Sequence, residues 1–402
     1  MLNKENFNFR YLAFALISIT LFVLMIVNES IYDQFHTDDF KVFYLAAKAL
    51  ISDQTIYGVP FGLDTGFYKY SPATLLLFTG YTLVSYKIAS IIHFAIIGIS
   101  AILAIILLEQ VIDKHLFKIE KKGLLSLILI LLGILIHLIR DLHLGNTNMI
   151  LVLFLIIGLK LSLESHEKYA GIFLALVILT KPYFIILMLP FLVSKKYKTI
   201  VSTAITGFGL TLLTGFILGF HRSLILHIEW FQEMLRHSSY LISPYTIFYY
   251  SDFYLGIAIP SKFHFLLFGL IVILISLYFW FYSNRKSQNR ESNKELIFNF
   301  FILIAIIPSI LITDVEHFIF SLPLIAIIIY YLKKENNYYW IIGFILIILM
   351  FGGNSSDLVG NELSYKIKIW GWVGIGNLFI LLSSFLVFKN MNKEEKEIAA
   401  IP

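Results

Sequence analysis

Cysteine is missing from all 402 residues, which excludes disulfides, thiolate metal sites and a cysteine nucleophile together. Charge is scarce as well. Asp, Glu, Lys and Arg make up 14% of the chain against 58% hydrophobic residues, and the mean hydropathy is +0.82. Soluble domains use roughly 45–50% apolar residues, so a water-soluble fold is excluded. There is no Gly-rich phosphate cradle ahead of a Lys-Ser or Lys-Thr, which argues against a nucleotide-driven pump, and the two-histidine helical spacing of zinc proteases is missing too. No internal repeat or low-complexity tract is visible. The net charge of +5 does not indicate nucleic acid, because the basic residues sit in short loops between apolar runs.

Those apolar runs dominate the chain. The first, Tyr11 to Val27, follows Lys4 and Arg10 with no small-residue cleavage site before Tyr32, so it reads as an uncleaved helix with a cytoplasmic N-terminus. Further runs near spanning length are Tyr86 to Val111, Gly123 to Ile139, Asn148 to Leu163, Ile200 to Phe220, Phe263 to Tyr282, Leu296 to Ile312, Phe318 to Leu332, Tyr338 to Phe351 and Ile369 to Phe388. Tyr169 to Val193 is interrupted at Thr180-Lys181-Pro182, which predicts two short helices meeting near the outer face. The expected fold is an all-α polytopic transmembrane bundle of about twelve crossings. It forms one transmembrane domain over 1–390, with a cytoplasmic tail at 391–402. Both termini fall inside, since most Lys and Arg then collect on the inner side and the outer side is net negative.

Two outer segments, 28–85 and 221–262, are too long for simple turns and are expected to carry function. In the first, Asp39, Phe43, Ala46, Ala47 and Leu50 recur at helical spacing, which predicts a helix along the membrane surface, and Pro72 to Val84 reads as a dipping or interfacial helix. In the second, Ile225, Ile228, Trp230, Phe231 and Leu235 alternate with His227, Glu229, Glu233 and Arg236 in the same manner.

The residues able to do chemistry gather on this outer side. Asp38 and Asp39 begin the surface helix; an acid there can cap the helix or serve as a general base. Arg140, Asp141, His143 and Asn146 fall in a short turn, where Arg140 and Asp141 can equally be solvated helix ends. Lys181 lies in an apolar hairpin, where a lysine costs roughly 2.5–3.5 kcal/mol at a helix centre, so it faces a polar cavity or an anion, or snorkels to the interface. Asp314, Glu316 and His317 share a tight turn that could bind phosphate or a metal, or simply keep the turn wet. Asp38, Asp39, Glu316 and His317 are donors enough for a divalent ion, but no spacing requires one, and no cofactor is called for. Gly215 and Gly219 fit a small-residue packing face.

The run Asp38-Asp39-Phe40-Lys41-Val42-Phe43-Tyr44-Leu45-Ala46-Ala47, followed by Tyr57 and by Tyr68-Lys69-Tyr70-Ser71-Pro72, resembles the opening of glycosyltransferase family 87 in the GT-C superfamily. Leu144-Gly145-Asn146-Thr147-Asn148 is similar to that family's Gly-Gln-x-Asn turn, with Asn146 in place of Gln. Lys181-Pro182 resembles its lysine-proline hairpin, and Glu316-His317-Phe318 with Leu322-Pro323 its late histidine turn. The resemblance implies a GT-C-like membrane enzyme that moves a hexosyl unit, mannose above all, from a polyprenyl-phosphate sugar to an extracytoplasmic lipid or glycan acceptor with inversion. It implies Asp39 as general base with Asp38 beside it, Lys181, His317 and Arg140 near the donor phosphate, and Asn146, Asn148, Tyr70 and Glu316 around the substrate. The implied partners are the lipid donor, the acceptor and membrane lipids, in the making of a cell-envelope glycan or glycolipid. A transporter or flippase of a lipid-linked solute is the competing reading; it predicts repeated halves and midplane broken helices. An inactive scaffold is the third.

Overall fold

The structure is a computed structural model. It describes residues 9–32, 35, 37–61, 66–119, 122–237, 243–285, 293–311, 314–335, 337–353 and 355–399. Lys4, most of the basic loop at 283–295, Ile312, Thr313 and the last three residues therefore lie outside the described residues.

The regular elements among the described residues are helices, with one isolated antiparallel bridge from Pro60 to Phe67. In chain order they are α1 (Phe9–Ile31), α2 (Asp38–Ile51), α3 (Pro72–Phe78), α4 (Tyr86–His115), α5 (Leu124–Leu144), α6 (Asn148–Leu163), α7 (Glu167–Thr180), α8 (Met188–Val193) and α9 (Tyr197–Leu218). There follow α10 (Phe220–His237), α11 (Ile247–Leu255), α12 (His264–Arg285), α13 (Asn293–Ile306), α14 (Leu322–Glu335), α15 (Tyr338–Gly352), α16 (Ser356–Val359), α17 (Asn361–Ile369) and α18 (Trp372–Ala399). Tight 3-10 turns at Thr79–Leu83, Pro182–Leu187 and Val315–Ser321 extend α3, α8 and α14 at one end.

Among the described residues, seven helical segments are long and apolar enough to cross a bilayer: Phe9–Ile31, Tyr86–His115, Leu124–Leu144, Tyr197–Leu218, Ser261–Phe281, Val315–Glu335 and Trp372–Glu394. Large apolar side chains stand exposed along α1, α9, α12 and α15, a surface that only lipid can cover. The protein is an all-α integral membrane protein. Some expected crossings are shorter helices. α6 and α15, at 16 and 15 residues, reach about 24 and 22 Å at 1.5 Å per residue, less than a hydrocarbon core of about 30 Å. α18 runs on to Ala399, so the expected tail continues that helix.

The chain divides into two compact units, 1–104 with 139–240 and 105–138 with 241–402; α4 and α5 each run from one into the other. In the first unit, α2 buries Phe40, Phe43, Tyr44 and Ala47, one turn after another, while Lys41 and Lys48 stay exposed. Its buried stripe packs on α3 and the segment before it, with the Phe43 ring 4.9 Å from Phe78 and 5.0 Å from Tyr70. Ser71 caps α3 by accepting from the Thr74 amide at 3.2 Å, and Pro72 at the first position loses no helix hydrogen bond. α10 closes over this layer. Trp230 Nε1 donates to the Lys69 carbonyl at 3.0 Å, and Arg222 donates to the Leu50 carbonyl at 2.8 Å and pairs with Asp53 at 2.9 Å. Its opposite face exposes Leu224, Ile228, Phe231 and Leu235, so both long segments fold into amphipathic helices as the spacing predicts.

The glycine pair on α9 departs from expectation. A Cβ on Gly215 would stand 2.7 Å from the Phe220 ring, whereas Gly219 has φ +84° and nothing near it. Gly219 therefore turns the chain from α9 into α10, and Gly215 makes room for the ring that follows; the pair is not one packing face.

In the second unit, α13 and the stretch from Val315 to Leu332 are enclosed, every residue of the latter but Ile329 being buried. Pro308 interrupts the helix after α13 by removing a backbone donor. Asn377 of α18, fully buried, meets that break by donating to the Ala305 carbonyl and to Ser309 Oγ, each at 2.8 Å, while accepting from Ser321.

Candidate active site

The centre of the first unit is the turn between α5 and α6. Gly145 has φ +63°, its amide donates to the Leu142 carbonyl at 3.2 Å and the next amide, of Asn146, to the Asp141 carbonyl at 3.0 Å. This is the Schellman ending of a helix, which requires a left-handed residue where Gly145 stands. Glycine is demanded twice over, because a Cβ there would come within 2.7 Å of Phe40 Cβ. The turn thus presses against the start of α2.

The three residues after Gly145 reach to three different places. Asn146 Nδ2 donates to Asp39 Oδ2 at 2.6 Å, while its own Oδ1 accepts from the Thr147 amide at 2.7 Å, which fixes the amide's orientation. Thr147 Oγ1 and the Tyr70 hydroxyl are 3.0 Å apart, and the Tyr70 carbonyl accepts from the Tyr57 hydroxyl at 2.8 Å. Asn148 Nδ2 donates to Asp141 Oδ1 at 2.9 Å, and its Oδ1 accepts from Lys181 Nζ. Burial pushes the Tyr57 and Tyr68 phenols well above their ordinary range, with Glu229 adding to the effect at Tyr57, so both remain protonated.

Asp39, Asn146, Asn148, Tyr70 and Lys181 are therefore brought together from α2, the α5–α6 turn, the segment before α3 and the end of α7. Asp38 and Asp39 occupy the first turn of α2, half-exposed. Neither caps it. Thr37 holds the cap position with φ 43°, and its hydroxyl bonds Tyr86 at 2.8 Å instead. Asp141 corrects the reading of a solvated helix end: it is fully buried, because α5 runs on to Leu144 and its Oδ2 accepts from the Met149 amide at 3.0 Å, satisfying the start of α6. Pro182 forces Lys181 out of helical geometry to φ −133°, ψ 94°. At 6% exposure Lys181 does not snorkel; it faces Asn148, and Asp141 lies within electrostatic reach of both Lys181 and Asp39.

A second polar group borders Asp38. Glu29, near the end of α1 and buried, accepts from His143 Nδ1 at 3.2 Å, and His143 is within electrostatic reach of Asp38 and of the exposed Arg140. The sequence reading missed Glu29, and it missed His93. The signal for His93 was present: one histidine flanked by Ile91, Ile92, Phe94 and Ala95 in α4.

Glu316 and His317 belong to the second unit. Both are buried, with His317 Nδ1 3.5 Å from Glu316 Oε1. With the exposed Asp314, their ligating atoms lie within 4.8 Å of one another. Two carboxylates and an imidazole suit a borderline divalent ion, and these are the residues that could hold one. The turn is fastened by His137, which is fully buried and whose Nδ1–H donates to the Val315 carbonyl at 2.8 Å.

An acid, two side-chain amides and a buried lysine thus converge on one turn of an all-α membrane protein. The sequence profile of glycosyltransferase family 87 matches residues 67–310, more than half of the chain, and the chain belongs to that family. It is a membrane glycosyltransferase, as the short motifs implied. The match takes in Tyr70, Arg140, Asn146, Asn148 and Lys181; Asp38, Asp39, Glu316 and His317 lie outside it. A search of curated proteins returns no match. Among solved structures, ArnT from Cupriavidus metallidurans bound to undecaprenyl phosphate is similar at 13% identity and a TM-score of 0.33, over 92% of this chain and 78% of that one.

Proposed function

We propose that the chain transfers a hexosyl unit, mannose being the first candidate, from a polyprenyl-phosphate sugar to the hydroxyl of a lipid or glycan acceptor on the extracytoplasmic side, with inversion. Asp39 is the general base. One of its carboxylate oxygens takes the acceptor's proton as the acceptor oxygen attacks the anomeric carbon. The carbon–oxygen bond to phosphate breaks on the opposite face and the polyprenyl phosphate leaves with the bonding pair. The observation that carries this reading is the Asn146 amide on Asp39 at 2.6 Å: it holds a half-exposed carboxylate in one orientation at the start of α2.

In this reading Arg140, exposed near the end of α5, and Lys181, a buried positive charge behind Asn148, are the cations that meet the donor phosphate. Asn148 and Tyr70 orient the substrate from their fixed positions around Thr147. No spacing in the sequence requires a metal ion, and Asp314, Glu316 and His317 are the residues that could hold a divalent one. The test is to incubate the purified protein with decaprenyl-phosphate mannose, glucose and galactose and a hydroxyl acceptor extracted from the host envelope. Release of free decaprenyl phosphate from one donor supports the reading; intact donor across the panel, with passage of the lipid between leaflets of proteoliposomes, replaces it with a flippase.

A further inference from the structure

His93 stands on the fourth helix, outside every contact just assigned to the substrate, yet it touches both walls that hold the base. It is 1% exposed. Its Nε2 lies 3.1 Å from the Gly145 carbonyl, which can only accept, so Nε2 carries the proton and Nδ1 is left to accept from the Tyr81 hydroxyl at 3.0 Å. Its ring stacks on Phe40, the residue after Asp39, with centroids 4.5 Å apart and planes 16° from parallel. Tyr81 in turn packs edge-on against Phe40 at 5.0 Å.

One imidazole thus fixes two things that need not otherwise be fixed together. Its N–H holds the carbonyl of the residue preceding Asn146, and its face holds the side chain of the residue following Asp39. Gly145 supplies no side chain of its own to set the distance between them, and its left-handed backbone leaves its carbonyl pointing at α4. We propose that His93 is a positioning residue for the transfer reaction: by clamping Gly145 against Phe40 it sets the Asn146–Asp39 hydrogen bond and so the aim of the general base. It touches no substrate. The inference rests on Asp39 being the base.

The experiment compares His93→Phe, which keeps the stack and loses the donor, with His93→Gln, whose terminal amide can still donate to the Gly145 carbonyl. Both are made alone and on the Asn146→Ala background, beside Asp39→Asn. Initial rates are measured against donor and acceptor concentration, with thermal midpoints in detergent. Expected are a fall in kcat of about ten- to a hundredfold for His93→Phe, the range of a misplaced general base, an unchanged donor KM, recovery of most of that loss in His93→Gln, and no further loss when His93→Phe is added to Asn146→Ala. His93→Phe with unchanged kcat while Asp39→Asn is inactive overturns the positioning role alone. Losses that add to Asn146→Ala and are not recovered by glutamine also overturn it, and show a folding role. Full activity in Asp39→Asn overturns both this inference and the assignment of the base. Should His93→Phe fail to fold, Tyr81→Phe removes the hydrogen bond to Nδ1 while keeping the ring, and the same non-additivity with Asn146→Ala decides.

Discussion

In each unit a polar turn is fastened by a buried histidine from a helix: His93 donates to the Gly145 carbonyl at 3.1 Å in the first, and His137 to the Val315 carbonyl at 2.8 Å in the second. Each ring packs on a phenylalanine, His93 stacked at 4.5 Å on Phe40 and His137 tilted by 60° at 4.4 Å from Phe351. The side chains of the two turns behave differently. Asn146, Thr147 and Asn148 reach to Asp39, Tyr70 and Lys181 as well as back to Asp141, so one turn sets the geometry of three other segments. Asp314, Glu316 and His317 face one another, so their charges form a local cluster. A turn of the first kind ties several segments together; a turn of the second kind gathers ionisable groups within itself.

Perturbing the two turns should therefore give different kinds of loss. The largest effect on stability is expected from Lys181→Met, which removes the cation from a buried network and leaves Asp141 with amide partners only. Breaking a buried pair in this way costs about 3–5 kcal/mol. The thermal midpoint in detergent should fall by many degrees and recover in part in the Lys181→Met/Asp141→Asn double variant. Gly145→Ala comes next. It places a Cβ at φ +63° and 2.7 Å from Phe40, with about 1–2 kcal/mol of backbone strain before the clash. Turnover should fall more than stability does, because the residue displaced is the one beside Asn146. Smallest is His317→Ala, where loss of one side-chain contact with Glu316 worth about 1.5 kcal/mol should lower the thermal midpoint by a few degrees and leave kcat nearly unchanged. A collapse of kcat in His317→Ala, equal to that of Gly145→Ala, would erase the distinction between the turns.

Much of this was legible in the residues themselves. The helix starting at Asp38, the break at Lys181-Pro182 and the bounds of α6 followed from spacing and from proline's effect on the residue before it. The Gly145-Asn146 pair announced a turn. What could not be read was the partner of each polar group. Asp141 looks like a solvated end until α5 is seen to run on to Leu144 and its carboxylate to meet the Met149 amide. His93 and His137 each stand between apolar neighbours in a long helix, and nothing local says which carbonyl each will hold. Those pairings join residues 52 and 178 positions apart and are set by packing.

The most direct test of the account is the rate of polyprenyl-phosphate release by purified wild-type and Asp39→Asn protein, under single-turnover conditions with whichever donor the panel identifies. The account predicts that the asparagine variant binds the donor as tightly as the wild type and releases polyprenyl phosphate about a thousandfold more slowly, as expected for loss of a general base. Equal rates from the two proteins would contradict it.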